Sequence, residues 1–218
     1  MRELGILFTR DNRESVAKGI KTHTRRIIKE VPLYNHLHWN HGPKKGQPRW
    51  IMDWPLSGVY EEDGRFWLDV QIDVDDNTHD EIKPRYQVGD HLYVKNSYFT
   101  KKADAEIWLL VTEVKDPHRI QDISEADARA EGATPQNVPH RNPETGEIRD
   151  IGLYYPGFMI LWNSINAKPK PVKQKNVITH YVSYPWQDIH ETRQHRGKPW
   201  HVCGNPWVFP YVFVRIEK

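Results

Sequence analysis

The sequence has little of what marks secreted or membrane proteins. Cys203 is the only cysteine among 218 residues, so no disulfide can form within the chain. No apolar run approaches the length that a membrane span needs, and the N-terminus shows no basic-then-apolar signal pattern. We therefore expect an intracellular protein that has no membrane partner.

A recognisable metal-ligand spacing is also missing, although the chain has 12 histidines. The richest stretch contains His36, His38 and His41, and His201 lies far downstream. Imidazoles separated by two and three positions could share a zinc ion. With this many histidines the same spacing also arises by chance. We expect loop histidines that are exposed or contact bases, with no metal and no cofactor.

Aromatic residues are abundant, with nine Trp and ten Tyr in a chain whose mean hydropathy is −0.78. The length suits one domain with a sizeable core. Trp108, Trp162 and Trp207 follow apolar patterns and are assigned to that core. The other aromatics of interest lie in less regular segments and could instead stack on bases: Trp39, Trp50, Trp54, Tyr98, Phe99, Trp186 and Trp200.

Charge is segregated along the chain although the formal net charge is only +2. Residues 1–50 carry a net +7, residues 51–150 a net −11 and residues 151–218 a net +6. If the two ends meet in a closed barrel, their cations form one basic patch, which suits a phosphate-bearing ligand such as RNA. A dipolar surface without a ligand is the alternative.

The most informative stretch is Gly-Ile-Lys-Thr-His-Thr-Arg-Arg at residues 19–26. Residues 11–18 predict a short helix with an Asp/Asn cap and with Val16 and Ala17 facing inward. Gly19 suits the end of that helix, where a positive φ is needed. The β-branched residues after it predict a strand. A lysine and a threonine hydroxyl beside arginines indicate an anionic or polar ligand, whereas the alternative is a solvated strand edge.

Apolar runs, turn residues and capping residues in the rest of the chain predict further elements. Apolar runs predict strands at residues 4–8 and 107–114, the second central in its sheet. A Gly-containing turn predicts a hairpin over residues 58–72. Ser124 predicts the cap of a helix over 124–131. A second helix is predicted at 156–165, loops at 133–152 and a linker at 167–175.

Five motifs, in this order, resemble the signature of the ASCH superfamily, whose small β-barrel domains are related to the PUA fold. The first is the G-x-K-T-x-T-x-R run described above. The others are a G-D-x-L-x-V strand, a helix ending in A-x-x-E-G, an aromatic helix with L-W-N-S-I-N, and a closing strand that begins N-P-W-V. They lie at residues 19–26, 87–95, 121–132, 158–166 and 205–216.

This resemblance implies an α+β fold, a PUA-like small β-barrel with flanking short helices. It makes the chain a single domain over 1–218, with loop-rich insertions at about 31–57 and 167–204. In ASCH amidohydrolases a lysine, a threonine and a glutamate remove the acyl group from 4-acetylcytidine. The matching residues here are Lys21 as base, Thr24 as nucleophile and Glu131 as acid or orienting group.

The resemblance also implies a ligand-binding set made of Arg25, Arg26, Lys95 and Tyr98. Where phage-type relatives have Arg-Glu after the L-x-V of the G-D-x-L-x-V strand, this chain has Lys95-Asn96. The partner expected is RNA or a modified nucleoside, in the cytoplasm of a bacterial host, with a phage or prophage origin. A reader of RNA or modified bases without chemistry is one alternative and a ribonuclease is another. The sequence does not specify an oligomeric state.

Overall fold

The structure, a computed structural model, describes residues 2–28, 59–62, 65–73, 76–82 and 84–217. Strands are the commonest element, and the helices are few. The strands are β1 Glu3–Leu7, β2 His23–Ile27, β3 Val59–Glu62, β4 Arg65–Asp73, β5 Asp76–Ile82, β6 His91–Lys95, β7 Trp108–Val114, β8 His118–Arg119, β9 Gln136–Arg141, β10 Ile148–Leu153, β11 Lys170–Gln174, β12 Val177–Ser183, β13 His190–His195, β14 Lys198–Cys203 and β15 Trp207–Ile216. The α-helices are α1 Arg10–Ala17, α2 Glu125–Ala130 and α3 Tyr154–Asn166, and single 3-10 turns lie at Lys102–Asp104 and Ile120–Asp122.

The main sheet is a curled half-barrel with the strand order β1-β6-β7-β15-β2, and β8 pairs with β15. β1 is parallel to β6, and the other neighbours are antiparallel. Its concave face holds a core that includes Phe8, Leu92, Leu109 and Tyr211. β7 lies in the middle of the order, as its apolar run predicts. This architecture is compatible with a small β-barrel of the α+β class.

A second core lies between the convex side of the sheet and the helices α2 and α3. Phe158 and Trp162 of α3 pack there, and the Trp162 indole donates a hydrogen bond to the Tyr184 carbonyl at 2.8 Å. Trp186 is 5% exposed, with its ring centroid 5.9 Å from that of Phe158. The prediction that Trp186 could stack on a base is therefore wrong, because its ring is part of this core.

The segment from 167 to 204 is not the loop-rich insertion predicted. It forms a four-stranded sheet with the order β11-β12-β14-β13, in which β12 and β14 run parallel. The stretch 133–152 likewise forms the antiparallel hairpin β9–β10 instead of a loop. These strands escaped prediction because polar and basic residues occupy both of their faces, so they lack the period-2 alternation of a half-buried strand.

The predicted hairpin at 58–72 is confirmed by the pairing of β3 with β4, in which Glu62 lies opposite Arg65. β5 extends it to three strands and was not predicted, since its sequence is acidic and poor in residues that favour strands. The proposed insertion at 31–57 lies outside the described residues. In the described part of the chain, no helix combines the length and apolar character of a membrane span.

Candidate functional site

The strand that carries the candidate residues is set up by the end of α1. The Thr9 hydroxyl caps this helix by accepting a hydrogen bond from the Asn12 amide at 3.4 Å, so the cap lies before the Asp/Asn pair predicted for it. Val16 is buried as predicted, whereas Ala17 is exposed. Gly19 has a φ of +71°, which confirms its role at the helix end. The chain then turns and enters β2.

α2 ends in the same way, directly beside the first turn. Ser124 caps its start by accepting a hydrogen bond from the Asp127 amide at 3.1 Å, as predicted. Gly132 follows its last residues with a φ of +79°. A methyl group at Gly132 would lie 3.2 Å from the Lys21 Cβ and 3.4 Å from the Ser15 Cβ. Two glycine-terminated helices therefore meet at Lys21.

Lys21 and Glu131, which are 110 positions apart, form a buried ion pair. The Lys21 Nζ lies 2.5 Å from the Glu131 Oε2 and donates a second hydrogen bond to the Glu131 carbonyl oxygen at 2.8 Å. Both residues are 3% exposed. The other carboxylate oxygen, Oε1, accepts a hydrogen bond from the Arg25 Nη1 at 3.0 Å. Glu131 thus binds two cations from the β2 segment.

Asp127 completes this arrangement, and sequence reasoning missed it. It accepts from the Arg25 Nη2 at 2.9 Å and from the Lys115 Nζ at 3.0 Å. The signal was available, because Asp127 and Glu131 are four residues apart and share one face of α2. We call the five residues Lys21, Arg25, Lys115, Asp127 and Glu131 the Glu131 cluster.

The cluster lies across the edge of the main sheet, where β2 ends the strand order. Arg25 faces the helix layer, and its guanidinium carbon is 5.9 Å from the centroid of the Phe158 ring. Thr24 and Arg26 face the opposite side, because successive side chains of a strand alternate between its two faces. Arg26 donates to the Leu7 carbonyl at 3.1 Å and lies over the Phe8 ring at 5.5 Å. Lys21 precedes the strand and reaches Glu131 around its edge.

Thr24 lies on the concave side of β2. In the sheet it is paired with Tyr211 of β15, and it is 5% exposed. Its hydroxyl makes no hydrogen bond to another described residue. Lys21, Thr24 and Glu131 are all buried, and Lys21 and Glu131 are in direct contact. That Thr24 lines the same site stays a prediction.

The pKa values of the central pair are shifted in the same direction. Burial lowers the pKa of the Lys21 ammonium, and Arg26 and Arg25 lower it further, whereas Glu131 acts in the opposite direction. Burial by itself would raise the pKa of Glu131, but Lys21 and Arg25 hold that pKa below its ordinary value. The carboxylate thus stays ionised while the lysine is closer to losing its proton than an exposed lysine is.

Two neutral histidines flank the cluster. Burial lowers the pKa of His118 and of His23, and the nearby cations Arg25 and Lys115 add to this effect. The Arg25 Nε donates to the His118 Nε2 at 3.3 Å, and the His118 Nδ1 lies 3.2 Å from the Asp116 carbonyl oxygen. Since a guanidinium only donates and a carbonyl only accepts, His118 carries its proton on Nδ1.

The remaining predicted ligand residues are elsewhere. Lys95 donates to the Tyr98 carbonyl at 2.9 Å, so these two are neighbours, and Tyr98 is 80% exposed. They follow β6, which β7 and β15 separate from β2 in the strand order. No hydrogen bond or ion pair joins them to the described residues of the Glu131 cluster.

A groove of about 310 Å³ lies between α1 and the main sheet. Its walls include Arg10, Arg13 and Glu14 of α1 and Val94 and Asn96 from the β6 side. The Arg13 Nη1 is buried without a hydrogen-bond partner among the described residues. Lys21, Thr24 and Glu131 do not line this groove.

Metal ligands do not converge in the part of the chain that the structure describes, where no three His, Cys, Asp or Glu side chains form a candidate metal group. His201 lies beside His180, with ring centroids 5.2 Å apart, and the histidines at 36–41 are outside the described residues. In comparisons with known proteins, no family model, no curated protein and no solved structure matches this chain.

Proposed function

We propose that the protein binds an acylated cytidine, as a nucleoside or within RNA, and hydrolyses its acyl amide. The observation that carries the proposal is the direct contact between the Lys21 ammonium and the Glu131 carboxylate, 2.5 Å apart and 3% exposed. A buried lysine whose pKa is lowered is suited to act as a base near neutral pH. The resemblance to ASCH amidohydrolases supplies the substrate class.

In this proposal Lys21 acts in its neutral amine form, after one ammonium proton has been lost to solvent. It accepts the hydroxyl proton of Thr24 as Oγ1 attacks the carbonyl carbon of the amide. The carbon–nitrogen bond then breaks, and the Lys21 ammonium returns the proton to the departing amine of cytosine. Water hydrolyses the acyl–threonine ester to the free carboxylic acid and restores the hydroxyl. The hydroxyl proton of Thr24 therefore leaves with the amine, and a proton from the water replaces it, so the steps balance without a cofactor.

Glu131 is assigned an orienting role and not that of an acid. Its two carboxylate oxygens already accept hydrogen bonds from Lys21 and Arg25, and the pKa of Glu131 is held below its ordinary value. A carboxyl group in that state has no proton to give near neutral pH. Two of the three hydrogens of the Lys21 ammonium are used by Glu131, which leaves the third for Thr24 or for the ligand.

A reader of modified bases without chemistry is the second candidate. The observation that favours it is the saturation of the Glu131 carboxylate by cations, since such a network can be a rigid platform for binding. The two candidates differ in whether the Thr24 hydroxyl reacts.

The experiment compares Thr24→Ala with Thr22→Ala, which removes a hydroxyl two residues away on the same segment. Release of acetate from 4-acetylcytidine and binding of the nucleoside are both measured. We expect Thr24→Ala to lose turnover by more than about 100-fold, while its affinity changes by only about 0.5–1.5 kcal/mol. Thr22→Ala, whose hydroxyl contacts His23 at 3.0 Å, should keep its turnover.

Lys21→Ala is expected to lose turnover as well, because the base is removed. Wild-type protein that binds acylated cytidine but releases no acetate would overturn the hydrolase and leave the reader. Cleavage of unmodified RNA by the wild type, lost in Lys21→Ala, would instead indicate the ribonuclease.

A further inference from the structure

The four-stranded sheet concentrates positive charge at one end. Residues 168–198 contain seven Lys and Arg but only two acidic residues, Asp188 and Glu191. Those two acids are occupied by neighbours, since Asp188 contacts His190 at 2.8 Å and Glu191 forms an ion pair with Arg193. Lys173, Lys175, Arg196 and Lys198 have no carboxylate of the described residues within ion-pair distance.

The charge lies at the tips of two hairpins. β11 and β12 are joined by Lys175 and Asn176, with φ of +46° and +67°, and β13 and β14 by Arg196 and Gly197, with φ of +52° and +70°. Two central residues with positive φ define the tight type I′ turn that matches strand twist. Each tip therefore holds its cation on a short, rigid connection, and Lys173 and Lys198 flank the two turns.

Strand direction brings the two tips to the same end of the sheet. β12 leaves the first tip and β14 leaves the second, and these strands pair in parallel with Tyr181 opposite Trp200. The register places the first tip about two residues, roughly 7 Å, beyond the second. The midlines of the two hairpins are two strands apart, or about 10 Å. We call Lys173, Lys175, Arg196 and Lys198 the basic tips.

The sheet behind the tips is braced by its own side chains. The Trp200 indole donates to the Ser183 hydroxyl at 3.0 Å, and the Arg193 guanidinium lies over the Trp200 ring at 5.3 Å. The ring centroids of His195 and Tyr181 are 4.6 Å apart. These contacts hold the aromatic rings against neighbouring side chains of the sheet, whereas Lys173, Lys175 and Arg196 are exposed.

We propose that the basic tips bind the phosphodiester backbone of a single-stranded nucleic acid. A separation of about 10 Å is small enough for the two tips to contact nearby phosphates of one strand. The turn residues add amide groups, from Asn176, Gln174 and Gln194, that hydrogen-bond to phosphate or sugar. Val177 is the one large apolar side chain beside the two described turns, which disfavours a bilayer as the partner.

The β9–β10 hairpin, which we call the third hairpin, offers a comparison because its tip carries charges of both signs. The connection between β9 and β10 carries Glu144 and Glu147 beside Arg141 and Arg149, and Arg149 pairs with Glu147 at 3.0 Å. Its charges cancel locally. This inference extends the proposed function, on which it rests, from a nucleoside to the polymer that carries the nucleoside.

The test uses the double variant Lys175→Asn with Arg196→Asn. Asparagine tolerates positive φ, so both turns keep their conformation while two charges are lost. The control is Arg141→Asn with Arg149→Asn on the third hairpin. Fluorescence anisotropy with a labelled single-stranded RNA of about 20 nucleotides is followed from about 50 to 200 mM salt. A second variant, Lys173→Glu with Lys198→Glu, leaves the turn residues untouched.

We expect both tip variants to bind the RNA at least about tenfold more weakly at low salt, with the salt slope reduced by about two for two lost phosphate contacts. The control should bind as the wild type does. Turnover of free 4-acetylcytidine should be unchanged in all three, so loss of that activity alone would bear on the proposed function and not on the tips. Tip variants that bind RNA as tightly as the wild type would overturn the inference. Wild-type binding to anionic vesicles but not to RNA would also overturn it.

Discussion

The Glu131 cluster and the basic tips contain the same kinds of side chain in opposite environments. In the cluster, Lys21 and Glu131 are 3% exposed, and each cation contacts a carboxylate. At the tips, Lys173, Lys175 and Arg196 are exposed, and no carboxylate of the described residues lies within ion-pair distance. The cluster can shift the pKa of an individual buried group, whereas the basic tips can attract a polyanion.

The difference shows that the charge of a sequence segment is not the charge of a surface. Residues 1–50 are strongly basic in the sequence, yet three of their cations are neutralised by the acidic middle segment. Arg2 donates to Asp90 at 3.0 Å, and Lys21 and Arg25 bind Glu131. The predicted merging of the two basic ends into one patch stays a prediction, because residues 29–50 lie outside the described part.

The largest effect should come from breaking the buried network. Glu131→Gln keeps the size of the side chain but leaves Lys21 and Arg25 with one carboxylate fewer, and removing one partner of a buried pair costs about 3–5 kcal/mol. Glu14→Gln, which removes a carboxylate from the exposed pair with Arg10, is the control and should cost no more than about 1 kcal/mol. Urea unfolding measures both. Equal costs would contradict the contrast between a buried and an exposed pair.

Acid should weaken the Glu131 cluster and also the pair formed by Arg2 and Asp90. The pKa values of Glu131, Asp127 and Asp90 are lowered in the folded protein, where cations offset the effect of burial. Their contribution is therefore complete above the ordinary carboxyl values of 4.5 and 3.8, and is lost as pH falls through the lower folded values. We expect the urea midpoint to fall below about pH 4.5.

Two histidines should make the loss of stability begin at a higher pH than the carboxylates alone would. Because the pKa values of His23 and His118 are lowered, the unfolded chain binds protons before the folded one does, and stability begins to decline below about pH 6.5. Glu131→Gln should retain this first decline and show a smaller second one. A variant whose second decline equals that of the wild type would show that other carboxylates are responsible.

The smallest expected effect is the difference in stability cost between alanine substitutions at two glycines that have the same backbone conformation. Gly19 and Gly132 both have positive φ, and alanine costs about 1–2 kcal/mol there. An added methyl group meets nothing within 4 Å at Gly19, but at Gly132 it meets the Cβ atoms of Lys21 and Ser15. We expect Gly132→Ala to cost about 1 kcal/mol more than Gly19→Ala in urea unfolding, since overpacking adds to the backbone strain. Equal costs would mean that Lys21 shifts freely.

Local signals in the sequence were sufficient for several elements. The central strand β7, the hairpin β3–β4, the Ser124 cap and the helix end at Gly19 were all predicted, because each depends on neighbours within a few residues. The hairpins of the four-stranded sheet were missed. Their turns, Lys175-Asn176 and Arg196-Gly197, are not the Asn-Gly or Asp-Gly pairs that mark a type I′ turn in a sequence.

The sequence by itself singled out Lys21 and Glu131 as candidate site residues, Lys21 through the motif after Gly19 and Glu131 through the resemblance of the helix before Gly132. Only the tertiary structure decided that these two are in contact, that Asp127 joins them and that the Lys175 and Arg196 tips lie side by side. The physical reason is the range of the interactions. Capping, turns and periodicity act over a few residues, whereas an ion pair across 110 positions and the parallel pairing of two strands depend on how the whole chain packs.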